Sequence, residues 1–362
     1  MKKLDKTRII YILCLLFVLI CCVFVMIRYY TMDRSVAGLE ADKTADTYGI
    51  YGDNVNVMLT RPDNWHKIAS DVLITHEEFA GIDGSTATIP ITAELARQFY
   101  DPRDVDLTNY VKHNMTDVAY DNLIEGRTNT LEWGTGVLDE HHFEISQTAQ
   151  KKVSLVFATP PSEDEVTHAK NKGITLDAQP IALDGFVFIT HKDNPVDSLT
   201  VSQIKDIYSG RITNWKDVGG NDEEIRAFQR TKNSGSQTAM EELVMKGEQM
   251  TDPPKALISA GMGELIEAVA EYNNETAAIG YTYYYYINNL YKNEDIKAIK
   301  IDGISPDNEN LVSKKYPFTA AYYAVIRSDE PQDSSYRKLR DYMLSDEGQE
   351  IVRIAGYCPV KG

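Results

Sequence analysis

The sequence predicts an α/β protein, and three observations carry that reading. From about residue 75, short apolar runs of strand character alternate with amphipathic helical patterns, the pattern of helices laid on a largely parallel sheet. Several strand-to-helix connections are rich in Gly, Ser and Thr. One uncharged apolar stretch near the N-terminus stands apart from the alternating body.

That stretch comes first. Residues 9–27, "IIYILCLLFVLICCVFVMI", are 19 consecutive uncharged residues, enough as a helix to cross a bilayer core of about 30 Å. The preceding "MKKLDKTR" is basic, so the N-terminus is expected inside and the bulk of the chain outside the membrane. Tyr29 and Tyr30 suit the outer interface. Two rivals stay open: a signal peptide cleaved near Ser35-Val36-Ala37, and a lipoprotein modified at Cys21 or Cys22. Residues 1–34 are thus expected to be a cytoplasmic tail and signal anchor, with a juxtamembrane stalk over 35–74.

The alternating body follows. "EFAGIDGST" predicts a strand and turn, "PITAELARQFY" a helix, and "TDVAYDNLIEG" a helix closed by Gly126. Residues 127–152 are longer than a helix-to-strand link needs, so they predict an inserted hairpin, whose Trp133 and Phe143 could cover a neighbouring surface. "KVSLVFAT" is a buried strand. The next helix opens on a Ser162…Glu165 capping box, and a later one on Thr200…Gln203. "IALDGFVFIT", "EIRAFQR", "AAIGYTYYYY" and "FTAAYYAVIR" predict strands, "GELIEAVAEYNN" a helix, and "SSYRKLRDYMLSDEGQEIVRIAGY" a helical C-terminus.

Composition narrows the function. The 362 residues carry a net charge of −17; residues 1–34 contribute six basic and two acidic side chains, so the remainder stands at −21. Such a body repels nucleic acid and anionic lipid, and any anion it holds must be held by local groups. Three of the four cysteines lie in the apolar segment and Cys358 is alone, which excludes an internal disulfide or a cysteine metal cluster in the body. No catalytic triad, P-loop or metal-ligand spacing is present. His141-His142 read as solvated, and the tyrosines of 283–286 as packing on both faces of a strand.

The informative segment is "QRTKNSGSQTAMEELVM", residues 229–245. Ser234 lies three residues before Gln237 and can cap the following helix. Gly235 permits close backbone approach, Ser236 adds a donor, and Arg230 offers a planar fork suited to two oxygens. Free amides at a helix start favour an oxyanion. Two further turns share that logic: Gly84-Ser85-Thr86, and the helix start at Thr116. In open α/β sheets, ligands bind at the carboxyl ends of strands.

The chain here resembles the PstS-type phosphate-binding proteins, receptors of phosphate ABC transporters with the type II periplasmic binding protein fold. The resemblance covers about residues 80–362 and rests on "DGSTATIP", "PIALDGFVFITHKDNPVDSLTVSQIKDIYSGRITNWKDVGG", "QRTKNSGSQT", "AAIGYTYYYY", "IDGISP" and "EGQEIVRIAGYCPV". It implies two α/β lobes joined by crossing strands, lobe 1 over 75–186 plus 311–362 and lobe 2 over 187–310, with the anion between them. It implies anion contacts from Ser85, Thr86, Thr116, Arg230, Ser234, Gly235 and Ser236, no cofactor, no metal and no enzymatic step, and an ABC permease as partner. Two departures stand out. Thr159 and Pro160 occupy the region where the family commonly has a proton-accepting aspartate, and Lys232 stands where an acid commonly pairs with the arginine. The expected function is therefore extracytoplasmic capture of phosphate or a similar oxyanion for import. The alternative is a membrane-anchored sensor or adaptor on the same fold.

Overall fold

The structure is a computed structural model and describes residues 65–69, 71, 73–100, 110–111, 113–139, 142–271 and 276–361, with only the backbone at 133–139 and 142–146. These residues belong to one compact unit, Tyr48–Gly362. The apolar run 9–27 lies outside them, as does His141. Among the described residues no helix is long and apolar enough to cross a membrane.

In chain order the elements are α1 (His76–Phe79), β1 (Ile82–Gly84), α2 (Ile89–Phe99), α3 (Thr116–Glu125), β2 (Thr128–Asp139), β3 (His142–Lys152), β4 (Leu155–Ala158), α4 (Glu163–Asn171), β5 (Leu176–His191), β6 (Ser198–Leu199), α5 (Val201–Tyr208), β7 (Arg226–Ala227) and β8 (Gln229–Arg230). There follow α6 (Gly235–Ala239), β9 (Ile258–Ser259), α7 (Met262–Glu271), β10 (Ala278–Tyr283), β11 (Ile296–Ala298), β12 (Lys300–Ile301), α8 (Asn308–Val312), β13 (Thr319–Arg327), α9 (Ser335–Tyr342), α10 (Asp346–Ile354) and β14 (Cys358–Pro359). The main sheet runs β1-β4-β13-β5-β10-β7, with β11 and β14 also paired to β5.

This sheet is mixed, not mainly parallel as the alternation of elements predicted. β1 and β4 are parallel, as are β7 and β10, but β13 runs antiparallel to both β4 and β5, and β10 antiparallel to β5. Alternation reveals where strands occur, not their direction. The 16-residue β5 serves both halves of the fold. Leu176–Gly185 pair with β13, and Phe186–Thr190 pair with β10. The result is a two-lobed α/β body with a shared strand.

Several local expectations hold. α3 ends at Gly126, whose φ of 65° places it in the left-handed region that glycine tolerates. The Ser162/Glu165 and Thr200/Gln203 capping boxes both form. The insertion is the hairpin β2–β3. Others fail for identifiable reasons. Glu78 and Phe79 of "EFAG" belong to the helix α1, which a Thr75/Glu78 capping box starts, and the strand begins only at Ile82. "EIRAFQR" splits: β7 joins β10, while β8 joins β9. The strand in "AAIGYTYYYY" stops at Tyr283, and Tyr286–Leu290 form a π-helical turn, so Tyr283–Tyr286 do not alternate on one strand. The C-terminal helical stretch divides into α9 and α10. The end of the expected stalk packs on the body: Trp65 Nε1 donates to Glu94 Oε1 at 2.8 Å, the Ile68 amide donates to Gln98 Oε1 at 2.8 Å, and Ile74 is buried.

Candidate functional site

The site is built from one turn of the second half of the fold and three strand or helix ends of the first. Arg230 closes β8, in register with Ser259 of β9. Its backbone N–H is held by Tyr281 Oη at 3.0 Å and Gln237 Oε1 at 3.1 Å, so the residue is fixed before its side chain is considered. The guanidinium is buried. Nε donates to the Ser259 carbonyl at 3.0 Å, Nη2 to the Ala260 carbonyl at 2.7 Å, and Nη1 to Ser236 Oγ at 3.0 Å. A guanidinium has five N–H donors, so two remain, one on each terminal nitrogen. Burial lowers its proton affinity, while Tyr281, Tyr286, Glu264 and Asp117 act in the opposite direction. Among the described residues no carboxylate forms an ion pair with it.

After Arg230 the chain turns through Asn233, held at a left-handed φ of 64°. Ser234 caps α6 by accepting from the Gln237 amide at 3.4 Å. Tyr283 Oη donates to the Gly235 carbonyl at 3.1 Å. Among the described residues the amides of Gly235 and Ser236 have no acceptor, as expected for a first turn.

The first half of the fold meets this turn at Gly235. A Cβ placed there would lie 2.3 Å from Thr159 Oγ1 and 2.9 Å from Thr116 Oγ1. Thr116 opens α3, and Thr159 follows the last residue of β4. Thr159 Oγ1 is buried and makes no hydrogen bond, an expensive arrangement for a hydroxyl. Ser85 and Thr86 follow β1, which runs parallel beside β4; the Ser85 amide donates to the Phe157 carbonyl at 2.9 Å. The Ser85 carbonyl accepts from His113 Nδ1 at 2.7 Å and from the Thr88 hydroxyl at 2.9 Å. Thr86 is half-buried at the start of a short 3-10 turn.

Arg230, Ser234, Gly235, Ser236 and Thr116 are thus brought together, and Ser85 and Thr86 lie at the neighbouring strand end. Thr159 was missed as a site residue because the sequence comparison sought an acid there. Its position at the end of a buried strand before a capped helix was the available signal. Lys232 does not enter the site: its Nζ pairs with Asp164 Oδ2 of α4 at 2.5 Å, so the two halves also touch at an exposed rim. Beside that rim, between α3 and α4, lies a cavity of about 370 Å³ lined by Asp117, Asp121, Glu165, His168 and Asn233 among others. Tyr283 and Tyr286 are buried in the core and form no exposed aromatic platform.

Two α/β lobes sharing a crossing strand, with polar turns from both facing each other, define the fold of the periplasmic-type binding proteins. The family model described as "PBP superfamily domain" matches residues 145–347. The phosphate-binding protein PstS of Bacillus subtilis is 25% identical over 181 residues, 50% of this chain and 56% of that protein. PstS of Staphylococcus epidermidis is 28% identical over 202 residues, 55% of this chain and 61% of that protein. The chain therefore spans about three fifths of the length of the curated relatives it matches. A crystal structure from Clostridium perfringens, described as a candidate phosphate ABC transporter substrate-binding protein with bound phosphate, is 30% identical, with a TM-score of 0.54 over 77% of this chain and 98% of that one. A phosphate transport receptor from Vibrio cholerae shares the fold at 23% identity and a TM-score of 0.52, over 76% of this chain and 98% of that one. The chain belongs to the PBP superfamily, in its PstS-type phosphate-binding group.

Proposed function

We propose that this chain is an extracytoplasmic solute-binding protein that captures phosphate or a similar tetrahedral oxyanion between its lobes and presents it to an ABC permease. The observation that carries the reading is Arg230: a buried guanidinium with two uncommitted N–H groups and no carboxylate ion pair among the described residues. A buried cation of this kind is costly unless an anion joins it. Arg230 and Ser236 contribute from one lobe with the amides of the Ser234–Gly235 turn. Ser85, Thr86 and Thr116 contribute hydroxyls or amides from the other. The lobes are assigned to 75–186 plus 311–362 and to 187–310, so that closure bends the chain where β5 leaves β13 for β10. The role is binding, without a chemical step. The apolar run 9–27 behind a basic flank supports a single-pass membrane anchor.

The test is a thermal-shift screen of the full-length chain in detergent with phosphate, sulfate, molybdate, tungstate and phosphonates, followed by calorimetry. A ligand at a hundred times its Kd stabilises by about 2.7 kcal/mol, which moves the melting point by several degrees. No shift with any tetrahedral oxyanion sinks the proposal.

A further inference from the structure

We infer that Asp83 is a positioning residue that sets the two first-lobe turns of the oxyanion site against each other; this rests on the function proposed above. Asp83 lies on β1 and is completely buried. Its carboxylate accepts five N–H groups and, among the described residues, forms no ion pair. Oδ1 takes the Gly84 amide at 2.8 Å and the Asn114 amide at 2.9 Å. Oδ2 takes the side-chain amides of Asn114 at 2.9 Å, Asn122 at 3.0 Å and Asn129 at 3.2 Å.

The partners give the role its content. Gly84 leads directly into Ser85 and Thr86. Asn114 stands two residues before Thr116, Asn122 lies within α3, and Asn129 lies at the base of the inserted hairpin. The start of α3 has no side-chain cap: its N-cap is Met115, at a left-handed φ of 66°, with no side-chain hydrogen bond. No side-chain cap therefore holds Thr116 at the helix start; the anchor on the helix itself is one turn further along, where Tyr120 donates to the Thr159 carbonyl at 2.6 Å. Asp83 holds that start from a neighbouring strand by gripping the residue before the cap, Asn114, and a second point about two turns along, Asn122. His113 adds a parallel link, from its ring to the Ser85 carbonyl. One carboxylate thus ties the β1 turn, the helix bearing Thr116 and the hairpin base into a single piece.

A positioning role differs from bulk stabilisation in which site contacts it acts through, and a double-mutant cycle reads that. Phosphate affinity is measured by calorimetry on the full-length chain in detergent. Asp83→Asn keeps the volume but removes the charge that accepts five donors, and it is expected to weaken phosphate about tenfold, the scale of one charge-assisted hydrogen bond. In a Thr116→Val background the same change is expected to cost no more than about twofold, because the contact it positions is already gone. In a Ser236→Ala background, on the other lobe, the factor of about ten is retained. Asn114→Ala cuts the link at its exposed end, is expected to weaken phosphate several-fold, and serves if Asp83→Asn does not fold. Equal losses from Asp83→Asn or Asn114→Ala in the wild-type and Thr116→Val backgrounds, or no loss at all, overturn the inference while leaving the function standing. If the wild type binds no tetrahedral oxyanion, the function falls and this inference with it.

Discussion

Arg230 Nη1 donates to Ser236 Oγ across 3.0 Å, binding the cation that ends β8 to the first turn of α6. The bond orients the guanidinium towards the helix start and leaves the Ser236 hydroxyl hydrogen for another acceptor. Removing the fork should therefore act on anion affinity beyond its packing. Arg230→Ala is expected to cost about 1.5–3 kcal/mol of phosphate binding, the range for hydrogen bonds to charged groups. Arg230→Lys should recover only part of it, since a point charge cannot hold Ser259, Ala260, Ser236 and an anion together. Calorimetry on the three proteins checks both; unchanged affinity in the alanine variant rules out the role.

Gly235 lies tight against Thr159 and Thr116 of the first half of the fold. Gly235→Ala would set a methyl 2.3 Å from Thr159 Oγ1 and 2.9 Å from Thr116 Oγ1, forcing the turn and β4 apart. Overpacking of this kind costs about 1–3 kcal/mol, and phosphate affinity should fall with it. Thr159→Ala in the same chain removes the nearer obstacle and should return part of both losses. Equal melting points for Gly235→Ala and wild type would contradict the packing seen here.

Asp184 predicts a pH dependence of stability. It is buried on β5 where that strand passes between partners, and it accepts from the Gly185 amide at 2.7 Å, the Tyr285 amide at 3.1 Å and the Tyr322 hydroxyl at 3.0 Å. Burial outweighs these bonds and pushes its pKa up from 3.8 to about 7. The folded chain then holds a proton that the unfolded chain has released, so this contribution is complete below pH 4 and is lost as pH rises to about 7. Glu165, pushed up to about 8 by burial, acts in the same direction. Asp184→Asn should flatten the fall in melting temperature between pH 4 and 7, leaving the part due to Glu165. An identical pH profile in wild type and variant would refute it.

The Lys232–Asp164 pair crosses the lobes at the exposed rim. Exposed pairs of this kind contribute little to stability and are screened by salt. Asp164→Ala should leave the melting temperature of the unliganded protein unchanged. It should speed anion release at low ionic strength, with the difference vanishing in high salt. Stopped-flow release at two salt concentrations checks this.

The sequence is legible where the structural cause is local. Ser162 with Glu165, Thr200 with Gln203, Ser234 with Gln237 and Gly126 all carry their structural reason within four residues. The helix at His76–Phe79 was missed although its capping box is equally local, because the apolar Phe79-Ala80 read as strand. What depended on distant partners was not legible. Strand direction in β13 is set by β4 and β5, more than a hundred residues away. The break between β7 and β8 reflects two different neighbours. In the site, Arg230 and the Ser-Gly-Ser turn stood out by chemistry. Thr159 is an ordinary residue type whose place after a buried strand is a weak signal; its burial without a partner and its closeness to Gly235 mark it in the structure. Nothing in the sequence singles out Asp83; its role shows only in five donors from four residues, Gly84, Asn114, Asn122 and Asn129.

The strand β5 gives its first ten residues to one lobe's sheet and the following ones to the other's. Neither lobe therefore owns a complete sheet, and a fragment cut at Gly185 would leave an open edge on both pieces. A cut anywhere within β5 would separate paired strands, whereas substitutions confined to the turns at Ser85–Thr86 and Ser234–Ser236 leave the shared strand intact.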